Sequence, residues 1–445
     1  MTESNPTPGT APELLAPAGS PEKMEYAFAY GADAVYAGVP KFSLRARDNP
    51  FKDATLKDAI GRTHELGKKI YITANILPPN RKLDAFKKSL AFFADGHPDA
   101  FIMADPGMID FSLREFPHVP VHLSVQTNTI NWEAARFWHE RGVSRIILSR
   151  ELSLPEIQEF HEKVPGLELE AFVHGAICIA YSGRCLLSNY FNHRDANQGT
   201  CTNSCRWEYD IHQTEGGQDG YVSSTHNPDK IQGDYFLEER ERPGELMPVD
   251  EDEHGTYIMN SKDLRAIEFL SQMRDAGICS FKIEGRSKTL YYLSLVVKNY
   301  RRALDDLAQG KAFDPSLIDE ISKTANRGFT SAFLVPKSDH QTERFDSPQE
   351  DNLPQVFAGQ VLDHKPGWMK VEIKNRLAVG DRVEYIAPGT QQAFEVTALE
   401  KATGEGVEVV HGGAGAAWIA ADFTPEPFAL LSKILVPAAL ETNRN

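Results

Sequence analysis

No run of apolar residues in this chain approaches the roughly 20 needed to cross a bilayer as a helix. The first ten residues, Met1–Thr10, are polar and lack both a basic start and an apolar stretch. No secretory signal is visible, and a cytoplasmic protein is expected. Net positive charge is also missing: 47 lysines and arginines stand against 63 aspartates and glutamates, for −16. At face value that argues against a polyanionic partner. The imbalance is local, however, because Glu208–Glu253 carries 14 acidic and 3 basic residues and the remainder only about −5. Hydrolytic and nucleotide-driven signatures are absent too. His64-Glu65 is followed by Leu-Gly-Lys and so does not complete a His-Glu-x-x-His. There is no Gly-x-Ser-x-Gly elbow and no phosphate-cradling Gly-x4-Gly-Lys-Ser/Thr loop. No internal repeat or low-complexity tract occurs.

Cysteine is scarce, with five in 445 residues, yet four of them, Cys178, Cys185, Cys201 and Cys205, fall within 28 residues as C-x6-C-x15-C-x3-C. Buried structural cysteines have no reason to bunch along a chain, whereas thiolates converging on one metal centre do. In a reducing compartment such clusters bind metal or do redox chemistry more often than they form disulfides. Structural zinc sites usually grip with two close pairs, and here only Cys201 and Cys205 sit close. The spacing therefore favours an iron–sulfur cluster, with zinc, or a set not all on one metal, as the alternatives. Cys279 stands apart beside an apolar strand and reads as an ordinary buried thiol. His174 and His193 flank the cysteines without metal-ligand spacing to each other, and neither is assigned to the cluster.

The first 310 or so residues alternate β-rich apolar runs with amphipathic stretches, the pattern of a parallel α/β fold. Strands are expected at Glu13–Pro17, Ala34–Gly38, Lys69–Asn75, Ala100–Asp105, Val121–Val125, Arg145–Arg150, Leu169–His174 and Ser280–Glu284. Helices are expected at Pro21–Tyr30, Asp53–Leu66, Arg81–Ala94, Asn131–Arg141, Leu154–Lys163, Lys262–Ala276 and Leu290–Ala308. Eight strands, mostly one per βα unit, predict a (β/α)8 TIM-like barrel. An open doubly wound sheet lacks support, since no Gly-x-Gly-x-x-Gly turn follows the first strand. The Cys-rich, acidic insertion, about 176–258, follows strand seven on the rim where barrel active sites are built. The barrel domain is expected to span 1–337 and a polar linker 338–354. Seven short strands with turn signals between them then predict a small C-terminal all-β barrel domain over 355–440.

Polar residues fall at or near C-terminal strand ends: Asn75, Asp105, Ser124, Gln126, Arg150, Glu170, His174, Lys282, Glu284 and Arg286. Polar side chains in a barrel mouth are costly unless paired, so their clustering suggests a solvated pocket. Lys282 and Glu284 alternate onto one strand face, which fits either a structural ion pair or a Lys282–Arg286 anion site. Arg45 and Arg47, two apart in the loop after the second strand, suit carboxylate or phosphate recognition, or else are solvated surface arginines.

The Glu170–Ser188 segment resembles the signature of the collagenase-like U32 peptidase family. The likeness continues through Leu14-Leu-Ala-Pro-Ala-Gly-Ser20, Ala32-Asp-Ala-Val-Tyr-Ala-Gly38, Phe42–Arg47, Cys201-x3-Cys205-Arg-Trp207, Gly255-Thr-Tyr-Ile-Met-Asn-Ser-Lys-Asp-Leu264 and Lys282-Ile-Glu-Gly-Arg286. With a barrel, one C-terminal β-domain and Arg242-Pro-Gly-Glu-Leu-Met-Pro248, the chain is most similar to the prephenate-dependent tRNA hydroxylase branch. That resemblance implies formation of 5-hydroxyuridine at the wobble position, with the tRNA anticodon loop and prephenate as partners. It also implies a 4Fe–4S cluster on Cys178, Cys185, Cys201 and Cys205, supplied by iron–sulfur assembly machinery. Arg45, Arg47, Asn75, Gln126, His174, Lys282, Glu284 and Arg286 are the catalytic candidates. Arg45, Arg47, Lys282 and Arg286 are the cations expected to hold the two prephenate carboxylates. The competing functions are a U32-type peptidase and a non-catalytic, zinc-stabilised RNA-binding scaffold.

Overall fold

The computed structural model describes residues 12–44, 49–177, 262–324, 326, 328–335 and 353–435, with the backbone of three strands between 235 and 257. Seven strands come first: β1 (Glu13–Pro17), β2 (Ala34–Gly38), β3 (Lys69–Ala74), β4 (Ala100–Met103), β5 (Val121–Leu123), β6 (Arg145–Ile147) and β7 (Glu168–Ala176). Each pairs in parallel with the next. The strands β8 (Tyr235–Glu238), β9 (Leu246–Asp252) and β10 (Gly255–Tyr257) form a small antiparallel sheet of their own. After β11 (Asp263–Arg265) comes β12 (Ile278–Ile283), which pairs in parallel with both β7 and β1 and closes the barrel. Strands such as Ala34-Val-Tyr-Ala-Gly38 are buried along their whole length, as a sheet covered on both faces requires.

Several of the helices begin where the sequence supplies caps. Ser20 Oγ accepts from Lys23 N at the start of α1 (Pro21–Ala29), with proline at the first helical position. The helices α2 (Asp53–Glu65) and α3 (Leu83–Ala94) follow, and Asp105 and Pro106 do for α4 (Pro106–Glu115) what Ser20 and Pro21 do for α1. Asn131 caps α5 (Trp132–His139), and a Ser153/Glu156 capping box opens α6 (Leu154–Lys163). Apolar residues from the helices and the outer strand faces make one large core, and a second cluster including Leu15, Tyr36, Tyr71, Ile102 and Phe172 fills the barrel interior.

Two expectations need correction. Lys262–Ala276 is not one helix: it divides into β11, a 3-10 turn at Ile267–Phe269 and the short α7 (Leu270–Asp275). Non-local pairing overrides the helical spacing there, because Asp263–Arg265 runs antiparallel to the end of β7, with Asp263 opposite Ala176. The fourth strand is shorter than expected, ending at Met103, because Asp105 instead caps α4, a helix that the sequence reading does not name.

Past α8 (Leu290–Ala308), α9 (Ser316–Ser322) and β13 (Phe329–Thr330), the described chain resumes at 353 as an antiparallel all-β unit with its own core. Its main sheet has eight strands, among them Gln355–Lys365, Trp368–Ile373 and Leu430–Ile434. The unit docks on α1 and α8: Tyr30 Oη donates to the Ile386 carbonyl at 2.9 Å, and Lys298 Nζ to that of Ala387 at 2.7 Å. Lys323 pairs with Glu384 at 2.9 Å.

Candidate active site at the barrel mouth

An ion-pair network crosses the barrel interior. Glu13 on β1 accepts from Tyr71 Oη at 2.6 Å and from Arg145 Nη1 at 2.8 Å. Arg145 reaches on to Glu170 at 3.3 Å, and Glu170 in turn accepts from Lys282 Nζ at 2.7 Å. Burial opposes each charge, but the mutual pairing reverses it for two of them. Arg145 is held well above its ordinary value by Glu13, Tyr71 and Glu170, and Glu13 below its own chiefly by Arg145. Lys282 is pulled below its ordinary value by burial, against the opposing pull of Glu170. Its ammonium lies 4.4 Å from the Tyr36 ring centre and 5.5 Å from that of Phe172, so the network ends under the mouth on two aromatic faces.

Above it, three sequence motifs interlock around Arg286. A Cβ on Gly19 would lie 2.0 Å from the Arg286 carbonyl oxygen, and one on Gly38 2.3 Å from its guanidinium. Lys23 Nζ donates to that same carbonyl at 3.2 Å. Tyr36 Oη donates to the Ile283 carbonyl at 3.0 Å and contacts Glu284 Oε2 at 3.3 Å, and Gly285 has φ +148. Only glycine at 19 lets the β1–α1 turn close on the Arg286 backbone, and glycine at 38 leaves room for the Arg286 guanidinium.

The other side of the mouth holds a one-directional hydrogen-bond chain. Leu44 N donates to Asn75 Oδ1 at 3.2 Å, Asn75 Nδ2 to Ser124 Oγ at 3.4 Å, and Ser124 Oγ to Gln126 Oε1 at 3.0 Å. Beside it, after β6, the Arg150 guanidinium lies 3.8 Å from the Phe172 ring centre.

The fold therefore gathers Asn75, Ser124, Gln126, Arg150, Lys282, Glu284 and Arg286 at one end of the barrel. Three expected mouth residues lie elsewhere. Asp105 caps α4, accepting from Met108 N at 3.0 Å. Glu170 lies early in β7, inside the barrel, and it rather than Glu284 is the carboxylate seen on Lys282. His174 is buried behind the strand among Tyr292, Tyr300 and Phe329, its Nδ1 3.3 Å from Tyr300 Oη. Burial, with Lys288 and Arg265 nearby, pushes it down to about 3. Sequence reasoning missed the platform rings Tyr36 and Phe172 and the partners Glu13, Tyr71 and Arg145. The one available signal was an acidic or basic residue inside otherwise apolar strands. Cys279 is half-buried, its Sγ bonded to the Leu169 carbonyl and its thiol pushed up to about 11 by burial.

Arg45, Arg47, Cys178, Cys185, Cys201 and Cys205 lie outside the described residues, as does the expected linker apart from 353 and 354. The flanks of the cysteine stretch are described. The chain leaves the barrel at the end of β7 and returns in β11, with Ala176 paired to Asp263, so the excursion starts and finishes at one point on the rim.

The profile of Peptidase family U32 covers residues 19–344, and that of the Peptidase family U32 C-terminal domain covers 354–431. The chain belongs to peptidase family U32. Among its U32 relatives, tRNA hydroxylation protein P of Escherichia coli (strain K12) is 44% identical over 422 residues, spanning 92% of this chain and 93% of that protein. The Haemophilus influenzae protein of the same name is also 44% identical, over 90% of this chain and 91% of its own. The Bacillus subtilis tRNA hydroxylation protein P1 is 36% identical over 85% of this chain and 84% of its own length. Among the described residues of this U32 chain, no helix is long and apolar enough to cross a membrane.

Proposed function

We propose that the chain hydroxylates C5 of the wobble uridine of tRNA, with prephenate as cosubstrate and an iron–sulfur cluster held by Cys178, Cys185, Cys201 and Cys205. The observation that carries this reading is the 44% identity, across 92% of the chain, to a protein named for tRNA hydroxylation. The donor set fits the cluster chemically: four thiols within 28 residues, in an excursion whose flanks meet at the barrel rim. When bound, such a cluster supplies the electron transfer that side chains cannot. The barrel's own residues have other work. Tyr36 and Phe172 seat the Lys282 and Arg150 cations beneath the mouth, and a wobble uridine is splayed from its loop at small cost. Arg286 lies at the mouth with a guanidinium suited to the cosubstrate's carboxylates, and Arg45 and Arg47, outside the described residues, are proposed from the sequence to join it. On this reading the barrel domain is 1–337, the linker 338–354 and the β-domain 355–440, and the protein works in the cytoplasm, where iron–sulfur assembly machinery loads it.

Nucleoside analysis of bulk tRNA tests the reaction. Cells lacking the gene are expected to lose 5-hydroxyuridine-derived nucleosides and to regain them with the wild-type chain; an unchanged nucleoside profile refutes the reading. Anaerobic purification tests the cofactor. The protein should be brown and contain iron and sulfide, and Cys178→Ser or Cys185→Ser should abolish the absorbance. A colourless protein with stoichiometric zinc would contradict the cluster.

A further inference from the structure

Two buried donors at the mouth have no partner among the described residues. Gln126 is 7% exposed, and its Nε2 has no partner among the described residues; the same holds for the buried Nε of Arg150. A buried donor left unpaired is expensive, and native proteins keep few of them. The hydrogen-bond chain explains why Gln126 is left as a donor. A backbone N–H can only donate, so Leu44 N fixes Asn75 with its oxygen toward residue 44 and its amide nitrogen toward Ser124. Ser124 then spends its proton on Gln126 Oε1. The Gln126 NH2 group is what remains at the end of the relay.

Arg150 is prepared in a complementary way. Stacking on Phe172 at 3.8 Å fixes the plane of the guanidinium and leaves its N–H edge available. Gln126 follows β5 and Arg150 follows β6, which are paired neighbours about 5 Å apart. The unpartnered atoms of both residues, Gln126 Nε2 and Arg150 Nε, are donors, and Arg150 adds a positive charge. A uracil edge alternates acceptor, donor and acceptor, so its N3–H would go unmatched there. A planar, singly charged carboxylate matches both groups.

We infer that Arg150 and Gln126 form a carboxylate-binding subsite in the barrel mouth, with Phe172 as its floor and the Asn75–Ser124 relay fixing its polarity. The subsite deepens the proposed function, since prephenate is there the small carboxylate to be bound, and to that extent it rests on that reading. Lys282, already paired with Glu170 at 2.7 Å, is then a positioning residue beneath the site and not the principal anion holder.

Isothermal titration of the purified full-length protein tests this, with prephenate, phenylpyruvate and inorganic phosphate as probes. Arg150→Met and Gln126→Glu should each weaken prephenate binding by roughly tenfold or more. Arg150→Lys, which keeps the charge and loses the fork, should weaken it less. Gln126→Glu retains the oxygen that accepts from Ser124. The thermal midpoint of Arg150→Lys should stay within a few degrees of wild type, because it keeps the charge over Phe172 and the Nε it removes has no hydrogen-bond partner among the described residues. Prephenate binding by Arg150→Met and Gln126→Glu within twofold of wild type overturns the subsite. So does a wild-type protein that binds neither carboxylate, or that binds phosphate more tightly than prephenate. These failures are separate from failure of the proposed reaction. Hydroxylated tRNA in cells alongside a wild-type protein that binds no carboxylate removes the subsite and leaves the hydroxylase. Arg150-dependent binding without any tRNA hydroxylation does the reverse.

Discussion

His174 is held as a neutral imidazole by burial, at about 3 against an ordinary 6.5. An unfolded chain takes up this proton below pH 6.5 while the folded one does not. The contribution is therefore fully present above pH 6.5 and is eroded as pH falls toward 3, by about 1.4 kcal/mol per pH unit. Urea unfolding of wild type and His174→Gln across that range should show a stability difference that is flat above pH 6.5 and shifts by about that slope below it. A difference that stays constant throughout removes the assignment. Glu170 makes the second residue-scale case. It is fully buried between Lys282 and Arg145, so Glu170→Gln leaves Lys282 without its carboxylate and should cost about 3–5 kcal/mol. Adding Lys282→Met to it should recover part of that loss in the same unfolding experiment. A single variant within about 1 kcal/mol of wild type would show the pair to be dispensable.

The elements around Arg286 explain how three motifs far apart in the sequence act as a set: each supplies one face of the same turn. Gly19→Ala would drive a methyl into the Arg286 carbonyl, which is backbone and cannot swing away. It should cost about 1–3 kcal/mol in thermal or chemical unfolding. Gly38→Ala meets movable atoms, the Arg286 guanidinium and Ser43 Oγ, so its cost in stability should be smaller while tRNA hydroxylation in cells still falls. Equal losses of stability from both would refute the distinction. All eight barrel strands were legible in the sequence, because apolar β-rich runs bounded by caps and turns are local signals. Helix α4 was not, although Asp105-Pro106 is as good a start as Ser20-Pro21, because the apolar run before it was carried one step too far. β11 was hidden for a different reason: its pairing with β7 reaches across the whole cysteine excursion, and its own spacing looks helical. The interior network was equally illegible. Glu13 and Arg145 are 132 residues apart, and Lys282 lies 112 from Glu170, so only barrel closure brings them together.

Across the whole molecule, an acidic chain and a polyanionic substrate are compatible because the charge is concentrated. Glu208–Glu253 carries a net of −11 of the total −16. The C-terminal β unit is tied to α1 and α8 by Tyr30, Lys298 and Lys323, so whatever it contacts is held in register with the barrel. One oxidising site, joining the cysteine excursion to the barrel mouth and acting on an anticodon base, is the central proposal. It is tested most directly by the mass of the anticodon-loop fragment of tRNA from gene-deleted cells complemented with wild type or Cys178→Ser. The wild-type chain should add the mass of one oxygen, about 16 Da, at the wobble uridine, and the serine variant should add nothing. An oxygen still added by Cys178→Ser, or present without the chain at all, would contradict it.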